Sequence, residues 1–202
     1  MGSVMHFARP GDDIWGTGIN GKVNKPLHIV PGEVQIHAVR GPRTRERLGS
    51  LGFDVPEIFG DPALLLPRID AEFAALRDIP KTRRLALIPN LNDARRYQSH
   101  PDFVSPVQHP HSVARIIAES EMIVGSSLHA IILAEALGTP CRLVASVNEH
   151  PFKYEDYFLG SGRGTVNAAN DVESAIRMGP GPELAYDPEP LLDAFPVGLF
   201  AN

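Results

Sequence analysis

Residues 121–144 limit most strongly what this chain can fold into, because they have the pattern of one strand-helix-strand unit. Apolar residues 122–124 predict a buried strand, and a tight turn then leads into an apolar helix, Leu128–Leu137. Gly138 is a typical helix end, and residues 141–144 begin a second strand. Such units build parallel sheets, in which ligands bind at the carboxyl edge. The start of the helix is therefore the first candidate for a functional site.

His129 lies in the first turn of this predicted helix. Ser126 or Ser127 can cap the helix by accepting a hydrogen bond from a free backbone N–H, and the other N–H groups then form an anion site. An imidazole beside such a site is typical of a catalytic pair. The alternative is structural: the helix is apolar almost all round, so it is a buried packing element in which His129 is satisfied by its neighbours. The local pattern leaves both interpretations open.

Composition excludes several classes of function. A chain of 202 residues can bury a real core, as one domain or as two small ones. Its net charge of −5, without a block of Lys or Arg, argues against a nucleic-acid partner. The single cysteine, Cys141, fits a reducing compartment, and we find no signal peptide and no apolar run that could span a membrane. We therefore expect a cytoplasmic protein. The scattered histidines lack metal-ligand spacing, so no metal or cofactor is expected.

The first half carries a cluster of arginines. Residues 34–39 alternate and predict a strand, so that Arg40 stands at its carboxyl end and Arg43 in the first turn of the next helix. Arginines so placed in an acidic protein favour recognition of a carboxylate or a phosphate. A solvated helix face is the alternative, and it explains Arg45 and Arg47 well. Arg40, at a strand end, is the stronger functional candidate.

A glycine-rich segment precedes this strand. Gly16 to Gly21 match the pattern G-x-G-x-x-G, but the residues that follow do not start a helix, so we reject a dinucleotide site. The glycines instead favour a sharp turn or a close approach of the backbone to a ligand. Other predicted strands are residues 4–8, 55–66 in part, 85–89 and 102–105; predicted helices are 111–120, 171–178 and 190–195; residues 148–157 are predicted to form a loop.

The order of the elements predicts an α/β protein with parallel sheet, whose two halves resemble each other loosely as strand-helix units. A segment rich in Pro and charge, residues 68–81, separates an N-terminal half, 1–82, from a C-terminal domain, 83–202, whose last helix packs back on the first half.

Several motifs occur in one order along nearly the whole chain and resemble the polysaccharide pyruvyl transferase family, most closely its bacterial exopolysaccharide branch. They are residues 13–20 (DIWGTGIN), 39–44 (VRGPRT), 60–66 (GDPALLL), 126–130 (SSLHA), 152–157 (FKYEDY) and 192–196 (LDAFP). The resemblance implies two Rossmann-like domains facing a cleft, as in GT-B glycosyltransferases. Family members usually start with a further strand-helix unit that bears an Asn-Phe-Gly-Asp turn, and this chain begins after that unit. The resemblance therefore implies that the first of the two Rossmann-like parallel-sheet halves is incomplete.

The resemblance also implies a reaction. Phosphoenolpyruvate is the donor, a sugar hydroxyl pair is the acceptor, and the product is a pyruvate ketal on an exopolysaccharide precursor. The catalytic histidine falls on His129 and the donor-binding arginine on Arg40. Histidine can act as acid or as base, and we expect His129 to be the acid or phosphate partner. Weaker candidates for the base are Glu149, His150 and Asp13. The expected substrate-binding residues are Arg40, Arg43, Gly16, Thr17, Gly18, Ser126, Ser127, Leu128 and Lys153.

The expected partners are phosphoenolpyruvate, a glycan or lipid-linked sugar acceptor and, as one option, a second copy in a homodimer. Two other functions stay open at this point. One is a nucleotide-sugar glycosyltransferase on the same scaffold. The other is a catalytically silent interaction module, in which an oligomer covers the place of the unit that family members carry at the N-terminus.

Overall fold

The computed structural model of the chain describes residues 2–22 and 26–200. In chain order, the strands and α-helices are β1 (Asp13–Thr17), β2 (Gln35–Val39), α1 (Pro42–Gly49), α2 (Leu66–Ile69), α3 (Ala71–Ala75), β3 (Arg83–Leu87), α4 (Ala94–Tyr97), α5 (Pro110–Glu119), β4 (Ser120–Gly125), α6 (Leu128–Leu137), β5 (Cys141–Leu143), α7 (Phe152–Gly160), α8 (Val172–Met178) and α9 (Glu189–Asp193). Short 3-10 helices fill several connections. The strands lie in two parallel sheets, as expected for an α/β protein.

The chain divides into two compact units that are not continuous in sequence. The first unit contains residues 1–62, 150–166 and 185–202, and the second contains 63–149 and 167–184. This division differs from the predicted boundary between residues 82 and 83. Residues 63–82 belong to the second unit because Phe73 and Leu76 pack into its core. Residues 150–166 join the first unit through contacts that no local pattern of the sequence reveals.

The first unit has a sheet of two strands. β1 and β2 are parallel, with Asp13 opposite Gln35 and Thr17 opposite Val39. The strand predicted at residues 4–8 is wrong: Met5–Phe7 is a 3-10 helix, because the N–H groups of residues 7 and 8 turn back to the carbonyls of residues 4 and 5. The strand predicted within 55–66 is reduced to a single bridge between Phe59 and Val39, followed by a 3-10 helix.

The second unit contains the strand-helix-strand unit that the sequence predicts. Its sheet has the order β3-β4-β5, with both pairs parallel, and α6 has the predicted bounds. Gly138 ends the helix in a left-handed conformation, with φ 71°, which glycine adopts without steric cost. The apolar side chains of α6 are buried, except that Leu133 is partly buried, which accounts for the lack of a polar face on this helix. The prediction of α/β architecture is confirmed.

Residues 152–160 correct another expectation. The predicted loop 148–157 is wrong in its second half, because α7 begins at Phe152. Tyr154, Tyr157 and Phe158 are buried, and their spacing of three and four residues places them on one face of the helix. The late helices α8 and α9 lie where the sequence predicts them.

The C-terminal segment packs within the first unit. The indole Nε1 of Trp15 donates a hydrogen bond to the carbonyl of Leu191 over 2.7 Å, and the Trp15 and Phe195 rings meet edge to face with centroids 4.8 Å apart. The hydroxyl of Tyr186 donates to the carbonyl of Phe59 over 2.5 Å. Burial raises the pKa of Tyr186 to about 12, with a smaller contribution from Asp187 and Asp61.

Tyr186 should make the free energy of unfolding depend on alkaline pH. Its pKa is raised above the ordinary 10.0, so the folded state holds the phenol proton more tightly than the unfolded chain does. This contribution is complete below pH 10 and is lost as the pH rises toward 12. We expect urea unfolding between pH 9 and 12 to show a smaller loss of stability for Tyr186→Phe than for the wild type. Equal losses would contradict the assignment.

Candidate functional site

The carboxyl edge of the second sheet presents the start of α6. Ser127 caps this helix, since its Oγ accepts from the backbone N–H of Ala130 at 3.4 Å. Ser126 is buried and turns the other way, toward Asp93. His129 is exposed in the first turn, whereas the neighbouring Leu128 is buried. The geometry therefore leaves an imidazole at the surface beside a capped helix start.

The loops after β3 and β5 lie at the same edge, since the three strands are parallel. The amide of Asn92 donates to Oε1 of Glu149 over 2.6 Å, so these two loops touch. Asp93 is only 3% exposed and accepts hydrogen bonds from three side chains. Asp93 is not among the residues that the sequence motifs single out. The available signal was a carboxylate in a polar loop that directly follows a buried strand.

Arg40 follows β2 in the first unit and is completely buried. Its Nε and Nη2 lie 3.1 and 2.9 Å from Oδ2 of Asp156, and its other donors bind the hydroxyl of Ser3 at 2.5 Å and the carbonyl of Ile19 at 2.7 Å. Burial lowers the pKa of Arg40, while the attraction of Asp156 and Asp61 opposes that shift. The guanidinium thus joins three segments of the first unit.

Glycines make room for this buried pair. A Cβ on Gly18 would lie 2.4 Å from Cζ of Arg40, and a Cβ on Gly41 would lie 1.8 Å from the carbonyl oxygen of Asp156. A Cβ on Gly16, whose φ is 68°, would lie 2.4 Å from the Pro62 ring. The glycine-rich segment is therefore a close-packed turn around Arg40, as one of the two interpretations of its sequence expected.

Asp156 also fixes the start of α1. Its Oδ1 accepts from the backbone N–H of Thr44 at 2.9 Å, and its Oδ2 accepts from the Thr44 hydroxyl at 2.7 Å. The Thr44 hydroxyl in turn accepts from the N–H of Ile19 at 3.1 Å. Asp156 is thus the second residue that sequence analysis missed. Only its place in the motif FKYEDY pointed to it.

The other predicted cations of the first unit face α7 or belong to it. Arg43 forms an ion pair with Glu155, and its guanidinium lies 5.1 Å from the ring centroid of Phe152. Lys153 is 7% exposed, with its Nζ 5.0 Å from the ring centroid of Tyr154. The hydroxyl of Thr17 donates to the carbonyl of Gly2 over 2.8 Å. Substrate binding by these residues stays a prediction.

Two candidates for the base lie elsewhere in the first unit. Asp13 is the first residue of β1, at the amino edge of its sheet, where its Oδ1 lies 2.6 Å from Nε2 of His37. Arg40 follows the carboxyl end of the neighbouring strand, so the structure places Asp13 and Arg40 at opposite edges. His150 packs beside Gly21, whose added Cβ would lie 2.6 Å from its Nδ1.

A cavity of about 730 Å³ opens in the first unit beside the end of the glycine-rich segment. Its lining is largely apolar, with Asn20, Arg47 and His150 among its polar residues. Arg40 is not among the lining residues.

In the described part of the chain, no three His, Cys, Asp or Glu side chains are grouped so that they could hold a metal ion. None of the described helices has the length and apolarity needed to cross a membrane.

Comparison with known proteins decides the family. Residues 14–147, more than half of the chain, match the model of the family described as polysaccharide pyruvyl transferase. The chain belongs to this family. The matched span includes Arg40, Asp93 and His129, and it ends before α7, so that Asp156 lies outside it. The resemblance inferred from the motifs is confirmed.

One curated relative of this polysaccharide pyruvyl transferase family member is the succinoglycan biosynthesis protein ExoV of Rhizobium meliloti (strain 1021). The two are 31% identical over 137 residues, which cover 63% of this chain and 40% of ExoV. The match thus spans less than half the length of that relative. No solved structure matches the chain significantly.

The buried pair of Arg40 and Asp156 should dominate the stability of the first unit. Asp156→Ala leaves an uncompensated guanidinium in the core, and we expect it to lower the free energy of unfolding by about 3–5 kcal/mol. Glu155→Ala is the matched control, since it removes the neighbouring carboxylate from a half-exposed pair with Arg43 and should cost less than about 1 kcal/mol. Urea unfolding followed by circular dichroism measures both. Similar losses in the two variants would contradict a special place for Asp156.

Proposed function

We propose that this polysaccharide pyruvyl transferase family member transfers a pyruvyl group from phosphoenolpyruvate to a sugar hydroxyl pair during exopolysaccharide synthesis. The observation that carries the proposal is the exposed imidazole of His129 in the first turn of a capped helix, inside the span that matches the family. Membership of the family and the likeness to a succinoglycan biosynthesis protein support the choice of reaction.

The start of α6 has the chemistry that the donor needs. Phosphoenolpyruvate is recognised through a phosphate and a carboxylate, and the free N–H groups of a helix start, with its dipole, favour such anions. The cap by Ser127 takes up the N–H of Ala130, and the N–H groups of residues 128 and 129 precede it in the same turn. An anion bound there would lie beside the imidazole of His129.

The reaction requires three proton transfers, one to the methylene carbon and one from each sugar hydroxyl, and a histidine can take part in them. Protonation of the methylene carbon of phosphoenolpyruvate creates an oxocarbenium-like centre at C2, and the first sugar hydroxyl attacks it and loses its proton. The C2–O bond to phosphate then breaks, the second hydroxyl attacks C2, and its proton leaves with the phosphate or the base. The products are a cyclic pyruvate ketal and inorganic phosphate. In our proposal His129 gives the proton to the methylene carbon or to the departing phosphate.

In our proposal Glu149 is the base, since its loop lies at the same edge of the second sheet as the start of α6. It follows β5, and its Oε1 accepts from the amide of Asn92. The acceptor sugar would approach this edge in our proposal. Hydroxyl groups of sugars pair well with carboxylates and amides, and both are present in the loops after β3 and β5.

Replacement of His129 tests the proposed chemistry. We expect His129→Gln to lower phosphate release from phosphoenolpyruvate by about 10²–10⁴-fold, the usual contribution of acid-base catalysis, in the presence of a panel of lipid-linked and nucleotide-linked hexoses. His109→Gln, at an exposed histidine that directly precedes α5 and makes no side-chain cap, should retain the wild-type rate.

Two results would refute the proposal. One is a normal rate in the His129→Gln variant that keeps the wild-type melting temperature. The other is a thermal stabilisation of the protein by nucleoside diphosphates together with none by phosphoenolpyruvate, which would favour the glycosyltransferase alternative.

A further inference from the structure

Three loops at the carboxyl edge of the second sheet converge on one buried carboxylate, that of Asp93. Its Oδ2 accepts from the hydroxyl of Ser126 at 2.5 Å and from the hydroxyl of Ser146 at 2.6 Å. Its Oδ1 accepts from the amide of Asn148 at 2.9 Å. These partners follow β4 and β5, whereas Asp93 follows β3. One carboxylate therefore links the ends of all three strands of this sheet.

Ser126 connects Asp93 to the turn before α6, residues 125–127. Its hydroxyl donates to Asp93 and accepts from the backbone N–H of Asn90 at 3.0 Å, so the rotamer of Ser126 is held from both sides. The next residue, Ser127, donates its N–H to the carbonyl of Ile88 at 3.2 Å. Gly125 packs directly on the same strand extension, since an added Cβ would lie 2.1 Å from the Ile88 carbonyl oxygen. The turn is thus fixed to the end of β3.

His129 lies two residues after Ser127, the last residue of this turn. It belongs to a helix whose first residue, Leu128, is buried. A rotation of the turn would therefore carry the imidazole with it. Rate losses of about 10²-fold follow from displacements near 1 Å at a reacting group. A carboxylate with charge-assisted bonds to two hydroxyls is well suited to prevent such a displacement.

We propose that Asp93 is a positioning residue for the reaction: it holds, through Ser126, the turn that places His129 against the substrate. This inference rests on the proposed function of His129. Asp93 itself is buried and does not touch the substrate in this account. A merely structural Asp93 would lower stability when replaced and would leave the rate per folded molecule unchanged.

Four variants test the proposal by steady-state kinetics of phosphate release. They are Asp93→Asn, Ser126→Ala, the double variant, and Thr139→Val as the matched control. Thr139 is 3% exposed and its hydroxyl donates to the carbonyl of Ile117 at 3.2 Å, so Thr139→Val also removes a buried hydroxyl, but at the opposite end of α6. Melting temperatures of all four establish that the rates refer to folded protein.

We expect Asp93→Asn and Ser126→Ala each to lower kcat by roughly 10–100-fold, while KM for phosphoenolpyruvate changes by less than about threefold. Both changes release the same turn. The kcat of the double variant should therefore be at most about threefold lower than the kcat of the slower single variant. Thr139→Val should keep the wild-type kcat. Multiplication of the two single losses in the double variant, or a wild-type kcat in Ser126→Ala, would overturn the proposal.

NMR spectra of the same variants give a readout that does not need turnover. The amide signals of residues 127–130 and the imidazole signals of His129 should shift in the same direction in Asp93→Asn and in Ser126→Ala, and should stay in place in Thr139→Val. Unchanged signals in the first two variants would overturn the positioning by Asp93. Absence of phosphate release from the wild-type chain would instead refute the proposed function, so the two failures are distinguishable. If Asp93→Asn does not fold, Ser126→Ala decides the question alone.

Discussion

The first unit depends on the ion pair between Arg40 and Asp156, which is completely removed from solvent. A buried guanidinium is tolerated only when its charge and its N–H groups are satisfied, and here one carboxylate, one hydroxyl and one carbonyl do so. The pair explains why the neighbouring turn is rich in glycine, because a side chain at Gly18 would occupy the space of the guanidinium. It also explains why α7, though distant in sequence, belongs to this unit.

The second unit also contains a buried charged group, but here it is a carboxylate and not a guanidinium. Asp93 is buried at the carboxyl edge of its sheet, and neutral hydroxyl and amide donors surround it where Asp156 has a cation. Parallel strands bring their carboxyl ends to one edge, so the loops that follow them have many free backbone and side-chain groups in a small space. A single acceptor with several lone pairs can order such loops. In each unit, one buried acidic residue defines the local geometry.

The sequence predicted best those elements whose signals are local. The run of apolar residues and the capping signals predicted the observed bounds of α6, and the alternation of residues 34–39 predicted β2. These signals are local because the residues that carry them lie side by side in the chain. The bounds of the units were harder to predict, since they depend on pairs such as Trp15 with Leu191 that are 176 residues apart. For the same reason, the motifs pointed to Arg40 and His129, while two buried carboxylates were missed. They are Asp156, which pairs with Arg40, and Asp93, which accepts a hydrogen bond from Ser126. An aspartate that is buried and accepts hydrogen bonds, such as Asp93, cannot be told from an exposed loop aspartate by its sequence neighbours.

The discontinuity of the first unit has a consequence for the order of events on the ribosome. Arg40 and Asp156 are separated by 116 residues, and translation at about 5–20 residues per second would delay the arrival of the carboxylate by roughly 6–23 s. During that interval the guanidinium of Arg40 lacks the carboxylate of Asp156. Residues 63–149, which carry most of the other unit, emerge in the meantime and can collapse first. Strands β1 and β2 therefore precede the second unit in the chain and belong to a unit that needs residues 150–166 and 185–202 to be complete.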